Sequence, residues 1–191
     1  MIWALLLAAG ESKRMGTPKQ LLPFGRTTVI ETALEHILAS AADRTLVVLG
    51  AVHDRLEPLL KRFPVSLTVN PDFREGMLSS VRWGIRHLPP DAGAALICLG
   101  DQPWITPETI DRVIHAFKTT GRGLVLPVYG KAGGHPLLID LKYREEIESL
   151  NSAVGLRELL SRHFEDVCRV ESGDAGILRD MDTPLEYEES K

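Results

Sequence analysis

Apolar runs and segments with helical periodicity alternate along most of the chain. Short, continuous apolar runs that end at or near a glycine are typical of fully buried strands. This pattern predicts strands over residues 2–9, 44–49, 65–69, 94–99 and 124–129, and shorter ones over 137–139, 167–170 and 176–181. Strands of this kind belong at the centre of a sheet that is covered on both faces.

Helical segments separate the predicted strands. Thr28 and Glu31 have the spacing of a capping box, and apolar residues then recur at helical period to about residue 39. Further helices are predicted over residues 53–63 and 79–88, from Thr106-Pro107 onwards, and twice within 141–164. This alternation predicts the α/β class, with one three-layer, Rossmann-like domain over residues 1–191 and a mostly parallel sheet. Ligands bind such sheets at the carboxyl ends of the strands.

The composition is that of a globular protein without a general affinity for polyanions. Hydrophobic residues make up 44% of the 191 residues, charged residues 25%, and the formal net charge is −4. No nucleic-acid or membrane partner is indicated, and a bound anion must be met by a local basic cluster. The two cysteines, Cys98 and Cys168, form no disulfide framework or metal-ligand spacing, which favours a reducing, cytoplasmic location.

The N-terminal run MIWALLLAAG has two interpretations. Its apolar core and small residues resemble an export signal with a cleavage site, and the same run is the first predicted strand. No positive charge precedes the run, and it is short for a signal. No other stretch approaches the roughly 18–20 residues that a membrane span needs. The buried strand is therefore the favoured interpretation.

A basic segment bounded by glycines, GESKRMGTPK, follows this strand. Gly10 and Gly16 allow positive φ and close approach of the backbone to a ligand. Lys13, Arg14 and Lys19 add positive charge, and successive backbone N–H groups in such a turn form an anion site suited to phosphate. The common spacings G-x-G-x-x-G and G-x-x-x-x-G-K-[ST] are absent. A solvated basic turn is therefore the alternative interpretation.

Other polar groups also follow predicted strands or precede the C-terminal segment. They are Asn70, Gly76, Ser79 and Ser80 in NPDFREGMLSS, Asp101 in GDQP, His135 in GGHP, and Asp180 and Asp182 in DMDTP. A carboxylate at the end of a buried strand suits Mg²⁺, which prefers a few carboxylates together with phosphates and water. Hydroxyls at a helix start suit hydrogen bonding to a base or a sugar. The alternatives are a turn aspartate at 101, helix caps at 79, 80 and 182, and a structural histidine at 135.

The first glycine-bounded segment resembles the signature loop of the molybdopterin-type nucleotidyltransferases, in particular their molybdenum cofactor cytidylyltransferase branch. The shared pattern is L-A-A-G-x-S-x-R-M-G-x-P-K-x-L-L-P, which here runs from Leu7 to Pro23. The resemblance implies a nucleotide-diphospho-sugar transferase-like fold in which this loop wraps a nucleoside triphosphate, with Arg14 and Lys19 on the phosphates. The implied nucleotide-binding residues are Leu7, Ala8, Ala9, Gly10, Ser12, Arg14, Gly16, Lys19, Asn70, Gly76, Ser79 and Ser80.

The remaining motifs resemble the same family and occur in the family's order. GDQP implies that Asp101 binds Mg²⁺ and is catalytic together with the phosphate-binding cations. DMDTP implies that Asp180 or Asp182 contributes to the same metal site, and GGHP implies that His135 lies on the acceptor side. One departure is Leu185, which stands where the family usually has an acidic residue after T-P; we expect little effect on the metal site.

The resemblance implies transfer of a nucleoside monophosphate to a phosphorylated acceptor with release of pyrophosphate. The second alanine of L-A-A-G, Ala9, indicates CTP, since guanylyl relatives read L-A-G-G; molybdopterin is the implied acceptor and a molybdoenzyme a further partner. Three alternatives stay open: a guanylyltransferase, a cytidylyltransferase for methylerythritol phosphate or a sugar phosphate, and a non-catalytic factor that delivers molybdenum cofactor. Asp101 and Lys19 argue against the last alternative, since a carrier needs no metal-bound triphosphate site.

Overall fold

The computed structural model describes residues 1–12, 15–179 and 181–189. Its strands are β1 (Ile2–Ala8), β2 (Pro23–Phe24), β3 (Thr27–Thr28), β4 (Arg44–Leu49), β5 (Ser66–Val69), β6 (Ala94–Leu99), β7 (Leu124–Tyr129), β8 (Ala132–Gly133), β9 (Leu137–Asp140) and β10 (Val167–Glu171). Its helices are α1 (Val29–Leu38), α2 (His53–Leu60), α3 (Met77–Arg86), α4 (Pro107–Thr120), α5 (Arg144–Ser149), α6 (Leu156–Arg162) and α7 (Pro184–Glu188). Among the described residues, no helix has both the length and the apolar character required to cross a membrane.

Eight strands form the central sheet, in the order β10-β7-β9-β6-β1-β4-β5, with β8 paired to β7. Strands β6, β1, β4 and β5 are parallel, whereas β9 runs antiparallel to both of its neighbours, β6 and β7. Because β9 alone is reversed on this path, the carboxyl ends of the other long strands meet at one edge, together with the start of β9. The predicted, mostly parallel sheet is confirmed, with β9 and the short β8 as its antiparallel strands.

Two apolar layers cover the faces of this sheet. Leu5 and Leu6 are neighbours in β1, yet they are fully buried in different layers, because successive side chains of a strand point to opposite faces. The layer around Leu6 includes side chains of α1, α2 and α4, and the layer around Leu5 includes those of α3, α5 and α6. The three-layer arrangement predicted from strand–helix alternation is therefore confirmed.

Local capping signals fix several helix starts. The Thr28 side chain accepts from the Glu31 backbone N–H, while the Glu31 carboxylate accepts from the Thr28 N–H, so the predicted capping box is present. Thr106 caps α4, with Pro107 in its first turn. These polar side chains satisfy backbone donors that lack partners at a helix start, which explains why the boundaries were readable from sequence.

The predicted strand over residues 176–181 is wrong. Residues Ala175–Leu178 form a 3₁₀ turn, and the Asp174 carboxylate accepts from the Gly176 backbone N–H at 2.7 Å. A local side-chain bond of this kind satisfies the backbone without a neighbouring strand. Ile177 is consequently buried in the core from a turn rather than from a strand.

Candidate active site

A cleft of about 250 Å³ lies at the sheet edge where β1 and β6 end. Its lining is contributed by β1 and the following loop, by the turn before α3, and by the residues that follow β6. These residues are Leu7, Ala9, Gly10, Lys19, Gln20, Phe73, Gly76, Met77, Ser80, Leu99 and Asp101. Seven predicted site residues are therefore brought together in one cleft.

Lys19 lies between two carboxylates in this cleft. Its Nζ is 2.5 Å from Asp101 Oδ2 and 2.8 Å from Asp182 Oδ1. The Lys19 side chain is 12% exposed, and this burial opposes its positive charge. Asp101 and Asp182 outweigh the burial, so the pKa of Lys19 is raised above its ordinary value. Lys19 is therefore a charged ammonium group over a wide pH range.

The loop after β1 is braced from within by Ser12. This residue has a φ of 53°, and its hydroxyl accepts from the Lys19 backbone N–H at 3.1 Å and donates to the Gln20 side-chain oxygen at 3.3 Å. Its carbonyl accepts from the Met15 N–H at 3.0 Å. Ser12, predicted as a nucleotide contact, thus fixes the backbone from which Lys19 projects. The predicted phosphate contact Arg14 lies outside the described residues, as does Lys13.

Two other predicted loop residues do not line the cleft. Ala8 is buried on the opposite face of the sheet from Leu7 and Ala9, as strand alternation requires. Gly16 has a φ of 66°, a conformation that favours glycine, and it lies in the loop outside the residues that line the cleft.

A polar cluster joins the end of β5 to the start of α3. The Asn70 amide nitrogen lies 3.0 Å from both Ser79 Oγ and Ser80 Oγ, and its oxygen accepts from the Asp72 N–H at 2.9 Å. Ser79 Oγ also lies 2.8 Å from the Gly76 carbonyl oxygen. Asn70 and Ser79 are thus committed to the scaffold, whereas Ser80 and Gly76 reach the cleft. The φ of 98° at Gly76 explains the glycine at this position.

The segment before α7 returns to the loop after β1. Thr183, rather than Asp182, caps α7 through a capping box with Glu186, so the cap proposed for Asp182 is wrong. The Asp182 carboxylate points instead to Lys19. Met181 packs with Met15 and Val29, and the Tyr187 hydroxyl donates to the Pro23 carbonyl at 2.7 Å. The other predicted metal residue of this segment, Asp180, lies outside the described residues.

The two carboxylates that contact Lys19 fit a divalent cation that prefers oxygen ligands. No group of three or more His, Cys, Asp or Glu residues suited to a metal occurs in ranges 1–12, 15–179 and 181–189. Asp101 and Asp182 nevertheless converge on one point, that of Lys19 Nζ. Mg²⁺ is typically held by one or two carboxylates while substrate phosphates and water complete its coordination. Two converging carboxylates in an open cleft meet this requirement.

A second, larger cleft of about 530 Å³ adjoins the first and shares Met77 and Leu99 with it. Its wall contains His135, whose Nδ1 lies 3.3 Å from the Ile97 carbonyl oxygen. A Cβ on Gly134 would overlap the Ile177 carbonyl, so this glycine lets the turn before β9 pack against the 3₁₀ turn. His135 therefore lines the second cleft, and its place on the acceptor side stays a prediction.

Sequence reasoning missed four residues of the first cleft: Gln20, Phe73, Met77 and Leu99. Gln20 follows the predicted lysine directly and is almost fully buried. Phe73 is an aromatic residue inside an otherwise polar loop, which was the available signal. Met77 is half exposed between the two clefts, and an apolar residue at a helix start carries no comparable signal.

This architecture, with a cleft at the carboxyl ends of the strands, is that of a nucleotidyltransferase of the nucleotide-diphospho-sugar transferase fold. Rv0371c from Mycobacterium tuberculosis H37Rv superposes with a TM-score of 0.88 at 28% identity, covering 99% of this chain and 96% of that one. A complex of Rv0371c with manganese gives 0.83 at 25% identity, with 99% and 97% covered. A nucleotidyl transferase from Methanothermobacter gives 0.84 at 24% identity, with 99% and 95% covered.

The chain belongs to the MobA-like NTP transferase family, whose domain model matches residues 4–167. Molybdenum cofactor cytidylyltransferase of Escherichia coli (strain K12) is 25% identical to it, over 96% of this chain and 92% of that protein. Nicotine blue oxidoreductase of Paenarthrobacter nicotinovorans is 31% identical, over 95% and 92%. Purine catabolism protein PucB of Bacillus subtilis (strain 168) is 30% identical, over 96% and 93%.

Proposed function

We propose that this nucleotidyltransferase moves CMP from CTP to the phosphate of molybdopterin, with Mg²⁺ as cofactor and pyrophosphate as the second product. The observation that carries the proposal is the position of Lys19, an ammonium group between Asp101 and Asp182 in the cleft beside the loop after β1. The similarity to a molybdenum cofactor cytidylyltransferase over most of both chains supports the choice of substrates. A cytoplasmic location belongs to the same proposal.

In the proposed reaction, a phosphate oxygen of the acceptor attacks the α-phosphorus of CTP, and the bond to the β-phosphate bridging oxygen breaks. Such chemistry requires alignment and charge neutralisation more than a covalent nucleophile. Lys19 and Arg14 bind the triphosphate and offset the charge that develops on the departing pyrophosphate. Asp101 and Asp182 would hold Mg²⁺, which would supply positive charge to polarise the α-phosphate.

The choice of base rests on Ala9. This residue lines the cleft and is only 7% exposed, so its methyl group takes up space beside the ligand. A narrower space favours a pyrimidine over a purine. Ser80 reaches the same cleft, and its hydroxyl offers a hydrogen bond to the nucleotide.

The acceptor belongs in the second cleft. This cleft shares Met77 and Leu99 with the first, so a ligand in it would lie next to a nucleotide bound in the first cleft. Its wall combines leucines with the Arg157 side chain and His135. An apolar wall with a basic residue suits a ring system that carries a phosphate.

The decisive experiment is pyrophosphate release from each of the four NTPs, with molybdopterin as acceptor and Mg²⁺ or Mn²⁺ as metal. We expect release from CTP to exceed release from GTP, and Asp101→Ala to remove it. Asp91→Ala is the matched control, because it removes an exposed carboxylate that does not line the cleft. A preference for GTP would make the protein a guanylyltransferase instead.

Replacing the acceptor separates the remaining alternatives. Turnover with methylerythritol phosphate or a sugar phosphate, but not with molybdopterin, would overturn the proposed acceptor while keeping the cytidylyltransferase. Binding of molybdenum cofactor without pyrophosphate release from any NTP would favour a delivery factor for a molybdoenzyme.

A further inference from the structure

We propose that Lys19 and the divalent cation compete for the same two carboxylates, so that the metal enters only together with a nucleotide that draws Lys19 away. This inference rests on the proposed function and concerns the order in which ligands bind. The Lys19 ammonium group makes an ion pair with each of the two carboxylates proposed to hold the metal, Asp101 at 2.5 Å and Asp182 at 2.8 Å. A metal ion and this ammonium group cannot both occupy the point where those carboxylates converge.

The positive charge of Lys19 opposes the binding of a metal ion to the same carboxylates. A divalent cation binds carboxylate oxygens at about 2.0–2.1 Å in the case of Mg²⁺, and it must replace whatever cation those oxygens already contact. Expelling Lys19 leaves a positive charge beside the incoming ion, in a cleft where charges are screened less than in bulk water. The empty cleft is therefore expected to bind free metal ions weakly.

A triphosphate removes this obstacle. Its oxygens offer Lys19 new partners and supply further ligands to the metal, so that the anion, the lysine and the metal each gain partners in one exchange. Nucleotide and metal then bind with positive cooperativity. By linkage, each must raise the affinity of the other by the same factor.

The local structure allows this exchange with motion of one side chain. The Lys19 backbone is held by Ser12 Oγ, which accepts from its N–H, and it begins the 3₁₀ turn Lys19–Leu21. The Lys19 side chain has four methylene groups, and its polar contacts within residues 1–12, 15–179 and 181–189 are those with the two carboxylates. Asp101 and Asp182 are 23% and 30% exposed, whereas Lys19 is 12% exposed, so the carboxylates are reachable from the cleft.

The test measures Mn²⁺ binding to the protein without nucleotide. Binding is followed by titration calorimetry and by the loss of the electron paramagnetic resonance signal of free Mn²⁺. Lys19→Met keeps the length of the side chain and removes its charge. We expect Lys19→Met to bind Mn²⁺ about tenfold more tightly than the wild type does, because the competing cation is gone. We expect the same variant to bind CTP more weakly in the presence of Mn²⁺. Mn²⁺ affinity that is unchanged or weaker in Lys19→Met would overturn the proposal.

Two controls test whether a gain in Mn²⁺ affinity arises at the site of Lys19 and Asp101. Lys118→Met removes an exposed lysine and must leave the Mn²⁺ affinity unchanged. Asp101→Asn, added to Lys19→Met, must abolish the gain. Thermal melting with and without Mn²⁺ shows that each variant folds, and Mn²⁺ alone is expected to raise the melting temperature of Lys19→Met more than that of the wild type.

The outcome is separable from that of the proposed function. Failure of every NTP to release pyrophosphate in the wild type would refute the transferase activity, and a gain in Mn²⁺ affinity in Lys19→Met would still stand. Conversely, normal turnover with CTP and no gain in Mn²⁺ affinity would refute the exchange and leave the transferase intact.

Discussion

Two clusters of lysine and aspartate lie at opposite edges of the sheet, and they differ in how their charges are satisfied. At the carboxyl edge, Lys19 serves two carboxylates, Asp101 and Asp182, and the group borders an open cleft. At the amino edge, beside the starts of β7 and β10, a single carboxylate, that of Asp166, receives several donors. The described contacts of the first cluster share one lysine between two carboxylates, whereas those of the second bring three donors to one carboxylate.

The cluster at the amino edge is complete without a ligand. Asp166 Oδ2 lies 2.7 Å from Lys142 Nζ and 2.5 Å from the Tyr143 hydroxyl, and Gly123 donates its backbone N–H. A side chain on Gly123 would overlap this carboxylate. Burial opposes ionisation of Asp166, but the hydrogen bonds prevail and lower the pKa of Asp166 to about 2. The cluster at the amino edge therefore stabilises the fold, whereas the cluster at the carboxyl edge borders a cleft that a ligand can enter.

Asp101→Ala is expected to have the largest effect of any change that tests this comparison. We expect pyrophosphate release to fall at least about 1000-fold, because half of the described carboxylate pair for the metal is lost. The free energy of unfolding should change little, since Lys19 keeps Asp182 as a partner. Urea denaturation and the pyrophosphate assay measure the two quantities. Turnover above a tenth of the wild-type rate would contradict the metal assignment.

Asp166→Ala is expected to do the reverse. It leaves the Tyr143 hydroxyl and the Gly123 N–H without their acceptor, so we expect the free energy of unfolding to fall by about 2 kcal/mol. Pyrophosphate release at low temperature should stay near the wild-type rate. Glu165→Ala, at an exposed neighbouring position, is the matched control in urea denaturation. An equal loss of stability in both variants would contradict the role assigned to Asp166.

The pH dependence of stability tests the lowered pKa of Asp166. The pKa of Asp166 is lowered to about 2 in the folded state, so its contribution is fully present above the ordinary pKa, near 4, and is lost as the pH falls from about 4 towards 2. We expect the difference in free energy of unfolding between the wild type and Asp166→Asn to shrink over this window. Urea denaturation at several pH values measures it. A difference that stays constant down to pH 2 would contradict the lowered pKa.

Ala9→Gly has the smallest expected effect and tests the base side of the cleft. Removing the methyl group widens the space beside the base, and we expect the ratio of kcat/KM for GTP to that for CTP to rise about tenfold. The comparison of both NTPs in one variant cancels any general loss of activity. An unchanged ratio would show that Ala9 does not select the base.

Local signals made much of the fold predictable from the sequence. Apolar runs ended by glycine predicted the parallel strands, and the pair Thr28 and Glu31 predicted the start of α1. The direction of β9 was not readable, because strand direction in a mixed sheet depends on neighbours that are distant in sequence. The strand predicted over residues 176–181 failed for a local reason, the Asp174 side chain that stabilises a turn.

The candidate site was predictable mainly through resemblance. Neither spacing nor composition places Asp182 against Lys19, because 163 positions separate them. The hydrogen bonds by which Asn70 and Ser12 hold the backbone were not predictable either. In a sequence, a polar loop residue that contacts a ligand cannot be distinguished from one that contacts its own backbone. Met77 lay in the quoted segment and carried no chemical signal of its own, whereas the aromatic ring of Phe73 in a polar loop was an available signal.

The pairing of residues 181–187 with the loop after β1 has a consequence for the order of folding. Contacts such as Tyr187 to Pro23 and Asp182 to Lys19 close loops of more than 160 residues. Loop closure on this scale is entropically costly and is compensated only after much of the intervening sheet has formed. Lys19 therefore acquires its second carboxylate late in folding, and partly folded chains lack one of the two ion pairs of this lysine.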